Sequence, residues 1–209
     1  MKMPKGFKTE ARKVGYPQLP AGTYVAGIKN VKVDEMEPNS RLVIRLDIIE
    51  GECTGYYTKR YERDSQNAGF NQGYQAKYKG DFKLWIPTQD DCDEVDDRGN
   101  KGNWRYRLFN QNMNAIEQSN PGVVFDWDKI WAKDFAFLKG KIVGINVRDA
   151  NFNGNPFTEI GQLEDAEAVR KGIVKTMKPK KDSGSASATE APATSTPAFT
   201  QVETDELPF

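Results

Sequence analysis

Histidine is absent from these 209 residues, and cysteine occurs only at Cys53 and Cys92. Without histidine there is no His-based catalytic triad, and two cysteines cannot complete a four-ligand Cys/His zinc site. In a chain without a secretion signal, two isolated cysteines read as reduced thiols rather than a bridge. No run of about 18 apolar residues is available to cross a bilayer. The basic opening Met1-Lys2-Met3-Pro4-Lys5-Gly6-Phe7-Lys8 leads into no apolar signal stretch. A soluble, cytoplasmic protein is therefore expected. Also missing are the Gly-x4-Gly-Lys-Ser/Thr phosphate loop, His-Glu-x2-His and Gly-x-Ser-x-Gly. The expectation is a protein that is not an enzyme and needs no cofactor or metal. The carboxylate pairs Asp90/Asp91 and Asp126/Asp128 lack a supporting constellation, which leaves a magnesium nuclease as a minor rival.

The chain is also without Lys or Arg beyond Lys181, although it holds 30 bases and 30 acids in all. Five acids lie in that last stretch (Asp182, Glu190, Glu203, Asp205, Glu206). Residues 1–181 thus carry 25 acids (30 − 5) and a net charge of +5, balanced by −5 afterwards. A basic body followed by an acidic segment points to nucleic-acid contact in one part and a different task in the other.

Composition divides the chain near Lys175, giving a domain over 1–175, a linker over 176–204 and a tip over 205–209. The linker is rich in Ser, Ala, Thr and Pro, and it cannot bury enough apolar surface to offset its ordering entropy, so disorder is expected there. In the body, residues 23–33 alternate as a strand. Leu42, Ile44, Leu46 and Ile48 mark one face of a second strand, and Tyr56-Tyr57-Thr58-Lys59-Arg60-Tyr61-Glu62-Arg63 reads as a third. Residues 64–103 read as an insertion, with a short strand-like 82–86 and an acidic surface loop at 90–97 that fails the EF-hand register. A helix is predicted over 104–118, with Leu108, Phe109, Met113 and Ile116 on one stripe. Strands at 141–148 and 156–160 form a hairpin across 151–155, and a short helix follows at 165–171. Strand, strand, strand, helix, strand, strand is the element order of a mainly β oligonucleotide-binding (OB) fold, a five-stranded Greek-key barrel.

Binding a single strand without sequence preference needs cations for the phosphates and exposed rings on which bases stack. With 56–63 taken as a strand, Tyr57, Lys59, Tyr61 and Arg63 share a face, and Arg41 and Arg45 lie on the neighbouring strand. The loops 34–40 and 149–155 flank them, the second presenting Arg148 and Phe152. Lys83 with Trp85, and Trp104 with Arg105 and Arg107, are further candidates. A ring at strand spacing is more often core than platform; the alternation of rings with cations favours the platform. The stretch 66–79, with Tyr74, Lys77, Tyr78 and Lys79, reads equally as a strand-gripping loop or a solvated excursion.

Asp205-Glu206-Leu207-Pro208-Phe209 packs acids beside bulky apolar residues. A pocket with an apolar floor and a cationic rim can read both. This tip after a low-complexity linker resembles the bacterial and phage single-stranded DNA-binding proteins. The body resembles the divergent phage-encoded members in Leu19-Pro20-Ala21-Gly22-Thr23-Tyr24, in Ile49-Glu50-Gly51-Glu52 through Gly55-Tyr56-Tyr57, and in Leu138-Lys139-Gly140-Lys141. The resemblance implies a protein that coats single-stranded DNA in replication, recombination or repair, in the host cytoplasm if phage-encoded. It also implies that Asp205, Glu206, Leu207, Pro208 and Phe209 recruit a helicase, polymerase or recombinase. The main rival is a recombinase-loading adaptor with a weak DNA grip. The charge split adds one more expectation, that the −5 segment lies across the +5 groove until DNA displaces it.

Overall fold

Leu42, Ile44, Leu46 and Ile48 alternate along β2 (Arg41–Ile48), and all four are buried, as expected for a strand whose one face lies on the core. The computed structural model of this chain describes residues 17–36, 39–68 and 75–180. In it, β2 belongs to a five-stranded sheet with β1 (Gly22–Asp34), β3 (Asp81–Trp85), β4 (Ile142–Phe152) and β5 (Asn155–Glu164). Every neighbouring pair is antiparallel and the order is β3-β2-β1-β4-β5. The two edges of the sheet are therefore β3 and β5.

A phase change inside β1 decides which side chains leave the core. Tyr24, Ala26 and Ile28 face inward, and so do Val31 and Val33, which a strict period of two does not allow. The pairing with β2 absorbs the mismatch in an irregularity between Ile28 and Asn30, one extra residue in one strand. Ile28 then sits opposite Leu46 and Val31 opposite Ile44, while Asn30, Lys32 and Asp34 share the outer face with Arg45, Val43 and Arg41. The turn before β4 docks at this irregularity, since Gly140 N–H donates to Ile28 O at 2.8 Å and Ile28 N–H donates to Lys141 O at 2.8 Å.

The third strand is not where its sequence suggested. Residues 56–63 lie within a helix, α1 (Tyr56–Ala68), and the strand-like 82–86 supplies β3. The stretch 64–103 is thus no insertion into the sheet but contains one of its edges. Asp47 explains the helix. Its buried carboxylate accepts the N–H of Tyr57 at 3.0 Å and the hydroxyl of Thr58, as well as the N–H of Ile48 at 3.0 Å. An anion that satisfies a donor at the first turn favours a helix there. Tyr56 with Arg60 and Arg60 with Asp64 then meet at i, i+4 spacing.

The predicted helix at 104–118 is present as α3 (Trp104–Ser119), capped by Asn103, whose side-chain oxygen accepts from the N–H groups of Arg105 and Tyr106. Phe109, Met113 and Ile116 are buried and Leu108 packs beside them. Buried Asn112 fixes the helix to the sheet by accepting the N–H of Leu163 at 2.9 Å. On the other side of β1, Val25 is covered by Ala166 and Val169 of α5 (Ala166–Arg170). The acidic 90–97 is only partly a loop: it begins in α2 (Gln89–Asp93), and Asp91 is buried in a capping box with Thr88. A further short helix, α4 (Trp127–Trp131), follows α3. The hairpin of β4 and β5 turns on Asn153 (φ 51°) and Gly154 (φ 78°), the left-handed pair that a tight two-residue turn requires. Beyond α5 the chain returns to β4, where Asn146 donates to Lys175 O at 2.9 Å and accepts from Met177 N at 3.1 Å. Among the described residues no helix is long and apolar enough to cross a membrane.

Candidate nucleic-acid interface

The irregularity in β1 gathers one outer face from three strands. The register sets Asp34, Arg41 and Trp85 in one row, Lys32, Val43 and Lys83 in the next, and Asn30, Arg45 and Asp81 in the third. Arg41, Arg45, Lys83 and Trp85 are thus brought together as neighbours. The Arg41 guanidinium lies 5.4 Å from the centre of the Trp85 ring, within cation–π range, and its buried Nε has no hydrogen-bond partner among the described residues. Arg45 is placed by Asp81, to which its Nε and Nη2 donate at 2.9 and 3.2 Å. That bond holds the Arg45 guanidinium pKa above its ordinary value. Its guanidinium also sits 4.6 Å over the Tyr78 ring. The Tyr78 hydroxyl donates to Leu46 O at 2.9 Å, and burial, ahead of its neighbours' charges, pushes its pKa up to about 12. Tyr78 is therefore a neutral, fixed plate beneath Arg45.

Tyr61 extends this plate. It is 40% exposed and its ring centre lies 5.8 Å from that of Tyr78. Tyr57 does not: only 5% exposed, it belongs to the core, a correction that follows from the helical course of 56–68. On a helix, positions 57 and 61 lie one turn apart, and 59 and 63 fall on another flank. The shared face expected for Tyr57, Lys59, Tyr61 and Arg63 therefore does not form. Lys59 instead donates to Thr54 O at 2.8 Å.

The face continues into a cleft between the two edge strands. A groove of about 510 Å³ is lined by Arg45, Tyr61, Lys77, Tyr78, Lys79, Asp81 and Lys83. Lys79, Asp81 and Lys83 also line a second space of about 510 Å³, whose walls include Tyr56, Arg60, Arg148, Phe157 and Glu159. Arg148, on β4, thus reaches the same track as Lys83, on β3. Its Nε and Nη2 donate to Glu159 at 3.0 and 2.7 Å, and Lys180 Nζ lies 3.2 Å from the same carboxylate. The acids of the cleft are committed, Asp81 to Arg45 and Glu159 to Arg148 and Lys180, while outside its lining Asp64 stands 3.9 Å from Arg60. Lys79 and Lys83 add charge beyond those pairs, so the track is positive overall.

Other expected residues lie apart. Trp104 is 59% exposed at the start of α3, with the Arg105 guanidinium 5.5 Å from its ring. Arg105 and Arg107 are drawn to Asp91 (3.8 Å) and Asp96 (2.9 Å) rather than to the β1–β3 face. Phe152 is exposed near the tip of the β4–β5 hairpin. In the loop 34–40, of which residues 37–38 lie outside the described residues, Glu35 and Ser40 accept hydrogen bonds from Lys133 at 3.0 and 2.8 Å. Residues 205–209, the linker from 181 onward and Tyr74 lie outside the described residues.

Sequence reasoning missed Lys32, Arg60, Asp81, Phe157 and Glu159. Lys32 was findable, because the offset between Ile28 and Val31 announces the outer face. The rest depend on β3 and β5 approaching one another, which no local pattern records. A comparison with protein-family models finds no match for this chain, and a comparison with curated proteins finds none either.

Proposed function

We propose that this protein binds single-stranded DNA without sequence preference, coats it during replication, recombination or repair, and recruits partner proteins through residues 205–209. One observation carries the reading: Arg41 with Trp85, Arg45 with Tyr78 and Tyr61, and Lys83 share one face that runs into a positive cleft. Cations bind phosphates at any sequence, and each base stacked on a ring contributes roughly 1–3 kcal/mol. The strand order supports an OB barrel, since β3-β2-β1-β4-β5 is the order of such a barrel opened between its third and fifth strands. In that fold the second and third strands bind oligonucleotides, and the basic face is built on that pair.

The test is a fluorescence titration of labelled oligo-dT and of a matching duplex at low and moderate salt, with the full chain and with a variant lacking residues 205–209. Tight, salt-sensitive preference for the single strand, kept in the variant, is the expected result. Equal binding of strand and duplex would overturn the reading. A weak grip on both would instead favour the adaptor, for which Trp127, Trp131 and Val124, all exposed, offer an apolar surface.

A further inference from the structure

β3 and β5 end the sheet, since β3 pairs only with β2 and β5 only with β4. Each therefore keeps one edge of backbone N–H and C=O groups outside the sheet's pairing. Between them lies the cleft of about 510 Å³. Four cations in its lining, Arg60, Lys79, Lys83 and Arg148, stand against two acids, Asp81 and Glu159. The remaining lining is largely apolar and graded in exposure. Phe82 and Leu84 are buried, Leu108 and Ile160 half-buried, and Phe157 is 39% exposed. A track for phosphates alone makes use of the cations and leaves this apolar lining, and the open ring of Phe157, without a role.

We infer that the β3–β5 cleft receives unstacked bases of the bound strand, which lie against Phe157 while their phosphates stay with Lys79, Lys83 and Arg148. The inference rests on the single-strand reading above and adds to it the step that rejects duplex. Size fits, because clefts of about 300–1,000 Å³ hold groups of small-molecule size. The path is continuous, because Lys79, Asp81 and Lys83 line both this cleft and the groove of Arg45, Tyr61 and Tyr78. A strand on the basic face reaches the cleft by crossing β3. The chemistry matches as well. A base is apolar on its faces and polar at its rim, so its face suits the Phe157 ring and its rim suits the donors and acceptors of two strand edges. In a duplex those faces are stacked and those rims paired, and entry would require unpairing first. An extended peptide is the other ligand that free strand edges accept. The excess of positive charge and the lysines shared with the basic face favour the nucleic acid.

The experiment compares the full chain with Phe157→Ala on two ligands of equal length, oligo-dT and a strand of abasic deoxyribose phosphates. The expected result is a loss of roughly 5- to 150-fold on oligo-dT, the range for one stacked base, with no loss on the abasic strand and an unchanged salt slope. Phe157→Leu keeps the apolar bulk, and so the fold, and should show the same pattern at smaller size. Oligo-dT affinity unchanged in both variants, or an equal loss on the two ligands in Phe157→Leu, would overturn the inference and leave the single-strand reading standing. Weakened binding of an alternating Glu-Val peptide, with oligo-dT affinity unchanged, would give the cleft to a protein strand instead. No preference of the unaltered chain for single strand over duplex would sink both readings.

Discussion

Arg41 stands directly opposite Trp85 across the β2–β3 pair, with its guanidinium 5.4 Å from the centre of the indole ring. The pair presents a ring for stacking and a charge for a phosphate from two adjacent strands, with no loop to order first. If this pair is the centre of the binding face, Trp85→Ala should weaken oligo-dT binding by about 1–3 kcal/mol, roughly 5- to 150-fold. Thermal stability should change far less. Titration of tryptophan-fluorescence quenching beside a melting curve checks both.

The two tyrosines one turn apart on α1 should separate by phenotype. Tyr57 is core, so Tyr57→Ala should destabilise the fold by about 3–5 kcal/mol, as removal of a buried ring does. Tyr61 is half exposed against Tyr78, so Tyr61→Ala should leave the denaturant midpoint nearly unchanged and reduce affinity for the single strand. The same effect of both variants on binding, with both fully folded, would return 56–63 to a common face.

Asp47 joins β2 to α1 through a buried carboxylate serving two backbone N–H groups and one hydroxyl. Asp47→Ala strands those donors, and the expected loss is about 2–4 kcal/mol in urea unfolding. Asp47→Asn, which keeps one acceptor oxygen, should cost less than the alanine.

Lys83 faces both the groove beneath Tyr78 and the cleft before Arg148. Neutralising it as Lys83→Gln should make the salt slope shallower by about 0.7, the equivalent of one phosphate, at every oligonucleotide sequence tried. A loss that depended on sequence would mean base readout rather than backbone binding.

Asp96 sets a pH window. Its carboxylate pKa is lowered to about 2, first by the side-chain bond from Asn100, then by the N–H of that residue, with Arg107 and Arg98 adding to the effect. Because the folded pKa lies below the unfolded value of about 3.9, this stabilisation is complete above about pH 4 and is lost as pH falls through 2. In melting curves, the gap between the native chain and Asp96→Asn should be constant from pH 7 to 5 and close below pH 4.

The legible part of this fold was the part with long, regular periods. Leu42 to Ile48 and the stripe Phe109–Met113–Ile116 carry their geometry locally and stand where their pattern places them. The hairpin forms as expected, but its predicted loop 149–155 is mostly paired strand, the turn narrowing to Asn153-Gly154. Residues 56–63 misled because three tyrosines and a threonine suit a strand. What decides their course is a carboxylate nine residues earlier at Asp47, paired across space. The candidate site divided in the same way. Arg41, Arg45, Lys83 and Trp85 were findable because β-strand registers preserve faces. The cleft is formed by strands 60 to 80 residues apart in the chain, at Arg148 and Glu159 on one side and Lys79 and Lys83 on the other, so no window of sequence contains it.

The extra residue in β1 between Ile28 and Asn30 lets one strand serve two masters. Before it, the side facing away from the core is apolar at Val25 and is roofed by α5; after it, the same side is polar at Asn30, Lys32 and Asp34. Without the offset those two demands would have to share a single alternation, and any retuning of one would rewrite the other. With it, the halves become separately adjustable. A lineage, or a designer, can change the charge written on 30–34 while the seat of α5 on Val25 stays untouched. The part of the molecule proposed to meet DNA is thereby free to drift at little risk to the part that keeps it folded.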